Sequence, residues 1–162
     1  MHIRSANLED LPFIEKMLFE AFFWQPEMKR PVKREFFAQP EIAKLLGNWG
    51  RAGDRAVIAE EDGVPVGAGW FRFGTDEDHS WGYVDEETPE LGIGVVAEFR
   101  SKGVGRQILK TLWNVAKKDG CKAISLSVAP ENFALKLYES EGFVKVGESG
   151  TSWTMVLKIE KE

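Results

Sequence analysis

Apolar positions along the 162-residue chain change their spacing several times, and each change marks an element. Ile3-Arg4 forms a short first strand. Leu11, Ile14, Leu18 and Phe22 then recur at intervals of three and four, the spacing of one helical face. That helix starts from a cap at Asn7 or Asp10 and runs to about Phe23. Pro26 and Pro31 break the chain, and Phe36, Phe37, Ile42, Leu45 and Leu46 place a second helical stretch over 33–49. Two strands, 56–59 and 65–71, flank Asp62-Gly63, a pair suited to a tight hairpin because both central residues of such a turn need positive φ. Residues 74–89 are polar and irregular, and 91–96 form a strand. A helix over 103–118 buries Ile108, Leu109, Leu112, Trp113 and Ala116, with Lys117 and Lys118 at its negative end and Gly120 just beyond it. A strand (123–128), a short helix (133–141) and two closing strands (143–146 and 153–159) complete the order β-α-α-β-β-β-α-β-α-β-β. This is a mixed α/β chain with a strand–helix–strand crossover in its middle, read as one domain over 1–162.

Composition narrows the chemistry. Apolar residues make up 43% and charged residues 29%, enough to build a core and too balanced for a disordered chain. Cys121 is the lone cysteine, which excludes an internal disulfide, argues against a cysteine metal site and fits a reducing compartment. The opening residues lack the apolar run of a signal peptide, and no stretch has the length of a membrane span. The expectation is a cytoplasmic protein without membrane attachment or bound metal. A net charge of −5 argues against nucleic-acid binding, which needs a basic face to neutralise phosphates.

The chemical signal lies between the 91–96 strand and the helix that follows it. Arg100-Ser101-Lys102-Gly103-Val104-Gly105-Arg106 sets two glycines and three cations at a helix start. The first turn of a helix has backbone N–H groups without intrahelical partners, and the helix dipole adds partial positive charge. Together they form an anion cradle, and glycine lets a diphosphate approach closely. No Gly-x-x-x-x-Gly-Lys-Ser/Thr run is present, which argues against a P-loop nucleotidase. Gly92-Ile93-Gly94-Val95-Val96-Ala97 matches a dinucleotide-binding pattern in letters only, because these residues are the strand itself and not the turn after it.

The 100–105 segment has the form Arg/Gln-x-x-Gly-x-Gly/Ala. It follows the strand Glu90-Leu91-Gly92-Ile93-Gly94-Val95, and Asn132 and Leu137-Tyr138-Glu139-Ser140-Glu141-Gly142-Phe143 come later in the chain. With Ile3-Arg4 and Asp10-Leu11 near the start, this resembles the GNAT superfamily of acetyl-CoA-dependent N-acetyltransferases across essentially the whole chain. The resemblance implies a mostly antiparallel central sheet of about six to seven strands flanked by about four helices. It implies an acyltransferase that carries an acetyl group from acetyl-CoA directly to a primary amine of a small molecule in a ternary complex. Acetylation of protein or peptide α-amines, and a non-catalytic CoA-binding module, are the alternatives. The sequence is compatible with a homodimer.

By the same resemblance, Ser101, Lys102, Gly103, Val104, Gly105 and Arg106 would hold the pyrophosphate with Arg100, and Ile93, Val95 and Val96 would pair with the pantetheine arm. Gly94 would mark a bulge or a close backbone approach. Tyr138 would protonate the departing sulfur, and Asn132 would bond the pantetheine arm or cap the helix after it. The interval from Asn132 to Tyr138 is six residues where family members often have seven. Glu90, at the start of the cofactor strand, is the candidate proton acceptor; Glu86, Glu87 and His79 lie near it in sequence.

From Phe73 to Phe99 there is no Lys or Arg, while Asp76, Glu77, Asp78, Asp85, Glu86, Glu87, Glu90 and Glu98 are acidic. Carboxylates beside aromatic faces attract cationic amines. Asp85, Glu86, Trp81 and Tyr83, with Trp24 after the first helix, are therefore the candidate acceptor-binding residues.

Overall fold

A computed structural model describes residues 1–160 of the chain. The strands are β1 (His2–Ser5), β2 (Arg55–Glu61), β3 (Val64–Arg72), β4 (Glu90–Val95), β5 (Ala123–Val128), β6 (Val144–Ser149) and β7 (Ser152–Lys158). They form one seven-stranded sheet in the order β1-β2-β3-β4-β5-β7-β6. β4 and β5 run parallel, with Glu90 opposite Ser125, whereas β1–β2, β5–β7 and β6–β7 are antiparallel. The helices are α1 (Leu11–Phe22), α2 (Lys33–Ala38), α3 (Pro40–Leu46), α4 (Val104–Lys118) and α5 (Ala134–Ser140). The mixed, mostly antiparallel architecture matches the expectation, with one helix more.

The extra helix has a local cause. The stretch expected as one helix over 33–49 divides at Gln39, whose backbone is extended (φ −65°, ψ 131°). Pro40 follows it, and a proline ring clashes with a helical conformation at the residue before it. The chain therefore ends α2 and restarts as α3 with proline in its first turn. At the N-terminus, Asn7 caps a 3-10 turn at Leu8–Asp10 in a reciprocal capping box with Asp10, and α1 begins only at Leu11. Arg4 holds Asp10 through two bonds of 2.8 Å. The β2–β3 hairpin turns through Asp62 (φ 51°) and Gly63 (φ 78°), the paired positive φ expected for Asp-Gly.

Residues are grouped in two compact units, 1–70 with 92–112 and 71–91 with 113–162. In the first, Ile14, Met17, Leu18 and Phe19 are the buried face of α1, and Phe19 and Phe23 pack with Phe36 of α2. Gly67 and Gly69 of β3 leave room for α4: a Cβ at Gly69 would collide with the side chains of Ile108 and Leu112, and one at Gly67 would crowd those of Ile108 and Val104. In the second, Ile124, Leu126 and Val128 of β5, Met155 of β7, Tyr138 and Phe143 are buried. No helix among the described residues is long and apolar enough to cross a membrane.

Candidate active site

The first unit carries the glycine-rich turn. Ser101 (φ 61°) and Gly103 (φ 85°) both take the left-handed conformation that reverses the chain after a short 3-10 turn at Ala97–Phe99. Open space surrounds the position of a Cβ on Gly103, so backbone conformation and approach from outside, not packing, set the need for glycine there. The α4 ladder begins with the Gln107 N–H donating to the Gly103 carbonyl at 3.1 Å. The N–H groups of Val104 and Gly105 precede it in the first turn, where a helix supplies its own amides with no acceptor. α4 is 15 residues long and ends on Lys117 and Lys118, so its dipole is fully developed and its N-terminal charge uncompensated by local acids. This turn fits an anion of diphosphate size.

The cations around it divide into two kinds. The Arg100 Nε donates to the Val95 carbonyl at 3.1 Å, and its Nη2 lies 3.9 Å from Glu20 of α1. Glu20 also takes Arg30 at 3.0 Å, and that bond, above all, holds its carboxyl below the usual range. Arg100 therefore ties the turn to β4 and α1 as well as adding charge. Lys102 and Arg106 are exposed, and the Lys102 ammonium lies 5.2 Å from the Phe99 ring centroid. Just past β4, Val96 is bonded on both sides of its backbone, its N–H to the Val66 carbonyl and its C=O to the Phe99 N–H, each at 2.9 Å. Of the three residues expected to pair with an extended arm, Val96 thus has both backbone groups engaged, and Val95 has its carbonyl engaged by Arg100. Gly94 is a close approach: a Cβ there would overlap the Met17 carbonyl of α1. Trp24 also belongs to this unit, half-buried just past α1.

The second unit carries Glu90. Its carboxylate accepts the Gly82 N–H at 3.1 Å and the Ser80 hydroxyl at 3.2 Å, both on Oε2. Burial raises its pKa to about 7, and the bonds from Gly82 and Ser80 and the charge of His79 pull the other way without cancelling that effect. A carboxyl with this pKa is part-ionised at neutral pH and can take a proton from an amine and release it again. Gly82 must be glycine for steric reasons. An added Cβ would lie 2.7 Å from the Glu90 Oε2 and 2.8 Å from the Leu126 carbonyl carbon, so the loop is pressed between the carboxylate and β5. The Thr154 hydroxyl of β7 reaches the Trp81 carbonyl at 3.3 Å and anchors the same loop.

Tyr138 is buried on α5, edge-on to Phe143 with ring centroids 5.7 Å apart. Burial pushes its phenol up to about 12, so it keeps its proton at any working pH and is available as a donor. Asn132 acts as a cap: its Oδ1 accepts the Ala134 N–H at 2.9 Å at the start of α5. In the acidic loop, Tyr83 donates to Asp76 and stacks on His79 with ring centroids 4.3 Å apart. The Asp76 bond pushes the Tyr83 phenol well up. Asp85 is engaged locally, its Oδ1 accepting the Glu87 N–H at 2.9 Å, while the Glu86 side chain is exposed.

Ser80 and Gly82, which bond Glu90, and Ser125, which faces it across the β4–β5 pair, are the surroundings of Glu90 that sequence reasoning missed. Ser125 had a legible signal: Ile124-Ser125-Leu126-Ser127-Val128 alternates apolar and small polar residues along one strand. Ser80 and Gly82 had none, since they meet Glu90 only through the path of an irregular loop.

Comparison with known proteins agrees with the fold. The model of the Acetyltransferase (GNAT) family matches residues 12–143. A search of curated proteins by sequence finds no significant match. Among solved structures, the chain is similar to PaiA N-acetyltransferase of Thermoplasma acidophilum in complex with coenzyme A (20% identity, TM-score 0.70, covering 98% of each chain). It is also similar to the ribosomal-protein-alanine N-acetyltransferase of Brucella melitensis (19% identity, TM-score 0.68, 98% of this chain and 100% of that one). A third is the phosphinothricin acetyltransferase of Sinorhizobium meliloti in complex with AcCoA (17% identity, TM-score 0.68, 98% of this chain and 88% of that one). With a family match over most of its length and a fold similar to that of these enzymes, the chain belongs to the GNAT family of acetyltransferases.

Proposed function

We propose that residues 1–162 act as one acetyltransferase domain that moves the acetyl group of acetyl-CoA directly onto a primary amine of a small molecule. The observation that carries this reading is the half-buried Glu90 carboxylate, held by the Gly82 N–H and the Ser80 hydroxyl at the first residue of the strand that leads into the glycine-rich turn, with desolvation raising its pKa to about 7. A binding module would have no use for a carboxyl tuned to exchange protons. Acetyl-CoA supplies an activated thioester. The Ser101–Arg106 main chain, with Lys102 and Arg106, receives its diphosphate, and Ile93 and Val95 receive the pantetheine arm. Arg100 holds the turn against β4 while adding its charge. Asn132 contributes mainly by capping α5 and so fixing the start of the helix that carries Tyr138.

An alkyl amine is almost fully protonated at neutral pH and cannot attack until it loses a proton. Glu90 accepts that proton, Gly82 and Ser80 having oriented its carboxylate beforehand. The Val95 N–H is the candidate donor to the carbonyl oxygen under attack. Tyr138 shares its phenolic proton with the departing sulfur, so that free thiol leaves. The acidic loop, with Tyr83, Trp81, Asp85 and Glu86, attracts a cationic acceptor. Asp76 and His79 order the Tyr83 ring.

The test is turnover, followed as acceptor-dependent release of free thiol. The acceptor panel comprises spermidine, glucosamine and an alanine-starting peptide. Thiol release with spermidine or glucosamine supports the small-molecule reading. Release with the peptide alone assigns the activity to α-amines, and acetyl-CoA binding without release under any acceptor makes the protein a binding module.

A further inference from the structure

Ser125 is fully buried in β5, and among the described residues its hydroxyl has no hydrogen-bond partner. Buried hydroxyls are nearly always satisfied, so an orphan beside an ionisable group calls for a function. Its neighbour is Glu90. The two residues face each other across the parallel β4–β5 pair, and directly opposed residues send their side chains to the same sheet face. The Ser125 N–H donates to the Pro89 carbonyl at 3.0 Å, which locks this register. The Glu90 carboxylate also lies over this part of β5, since Gly82 is pressed between it and the Leu126 backbone.

Paired strands stand about 4.8 Å apart, too far for a direct bond between facing side-chain oxygens held parallel and close to the span bridged by one water. Both known donors to Glu90 are on Oε2, and a carboxylate has further lone pairs on Oε1. A buried water needs two to four polar partners. The Ser125 hydroxyl and Glu90 supply two, and an incoming amine supplies a third.

We infer that Ser125 is a positioning residue for catalysis, its hydroxyl and the Glu90 carboxylate together holding the water through which the acceptor amine hands over its proton. The inference rests on Glu90 being the proton acceptor. In the step, the amine N–H bond breaks and its proton goes to the water, which passes one of its own protons to the carboxylate. The water is regenerated and Glu90 becomes the carboxylic acid. The other groups acting on Glu90 are Gly82, Ser80 and the His79 ring of the 74–89 loop; β5 contributes only neutral side chains at this point.

The experiment compares Ser125→Ala, Ser125→Cys and Ser125→Thr with Glu90→Gln, measuring melting temperature and the pH profile of kcat/KM for the best acceptor among spermidine, glucosamine and an alanine-starting peptide. Ser125→Ala and Ser125→Cys are expected to lower kcat/KM about tenfold and move its acidic limb upward by half a unit or more, because a donor that favours the ionised carboxylate is lost. KM for acetyl-CoA stays unchanged, and Ser125→Thr, which keeps the hydroxyl, restores both readouts. If the serine hydroxyl is only a packing defect, Ser125→Ala raises the melting temperature and leaves the pH profile in place, which overturns the inference while Glu90→Gln remains inactive. An active Glu90→Gln overturns the Glu90 reading itself, and this inference with it.

Discussion

The glycine-rich turn and the surroundings of Glu90 are built in opposite ways. The turn is made by consecutive residues, and what it offers a ligand, N–H groups and a helix dipole, belongs to the main chain. Glu90, on β4, takes its bonds from Ser80 and Gly82 in a separate loop and faces Ser125 across the β4–β5 pair. Its chemistry comes from burial, which no short motif encodes. The comparison teaches that a binding function can be local while a proton-transfer function is tertiary. Substitutions in the first region should change affinity, and those in the second should change rate and its dependence on pH.

Glu90→Gln is the strongest way to separate the two. It should lower kcat/KM by about 100-fold or more, the usual scale for removing a general base, with acetyl-CoA affinity intact by calorimetry. The same change should stabilise the fold at high pH. Burial raises the folded-state pKa of Glu90 above its unfolded value, so the protonated form favours folding; that contribution is present at low pH and lost as pH rises from about 4.5 to about 7. At pH 8 the ionised, desolvated carboxylate costs up to about 3 kcal/mol, which denaturation of the glutamine variant should recover. Tyr138→Phe comes next, with kcat down about 10- to 100-fold and KM for acetyl-CoA nearly unchanged in steady-state kinetics. Lys102→Ala combined with Arg106→Ala should reverse that pattern, weakening acetyl-CoA about tenfold by calorimetry while the melting temperature holds. The smallest effect belongs to the acidic loop. Asp85→Asn with Glu86→Gln should raise KM for a cationic amine a few-fold at low salt, an effect that fades as salt screens it; an unchanged KM would remove the loop from acceptor binding.

Sequence patterns reached the fold and the turn because both rest on local rules. The period of apolar residues located every strand, and the Asp62-Gly63 hairpin followed from backbone conformational preference. The division of α2 from α3 was equally legible at Pro40 and was passed over because the apolar pattern continued across it. Glu90 could be named from its place at the head of a strand, but not its tuning, since desolvation comes from loop residues whose path no periodicity describes. Asn132 and Arg100 show a further gap: their residue types suit ligand contacts, yet their side chains also hold an α5 amide and the Val95 carbonyl. A sequence gives a polar side chain's capacity to bond and not the partner it meets first.

The most direct test of the account is the pH profile of kcat/KM for an amine acceptor, measured in the wild type and in Glu90→Gln. The account predicts an acidic limb in the wild type with an apparent pKa of about 7, which disappears in the variant together with most of the activity. An acidic limb that stays near 7 in a fully active Glu90→Gln would contradict it.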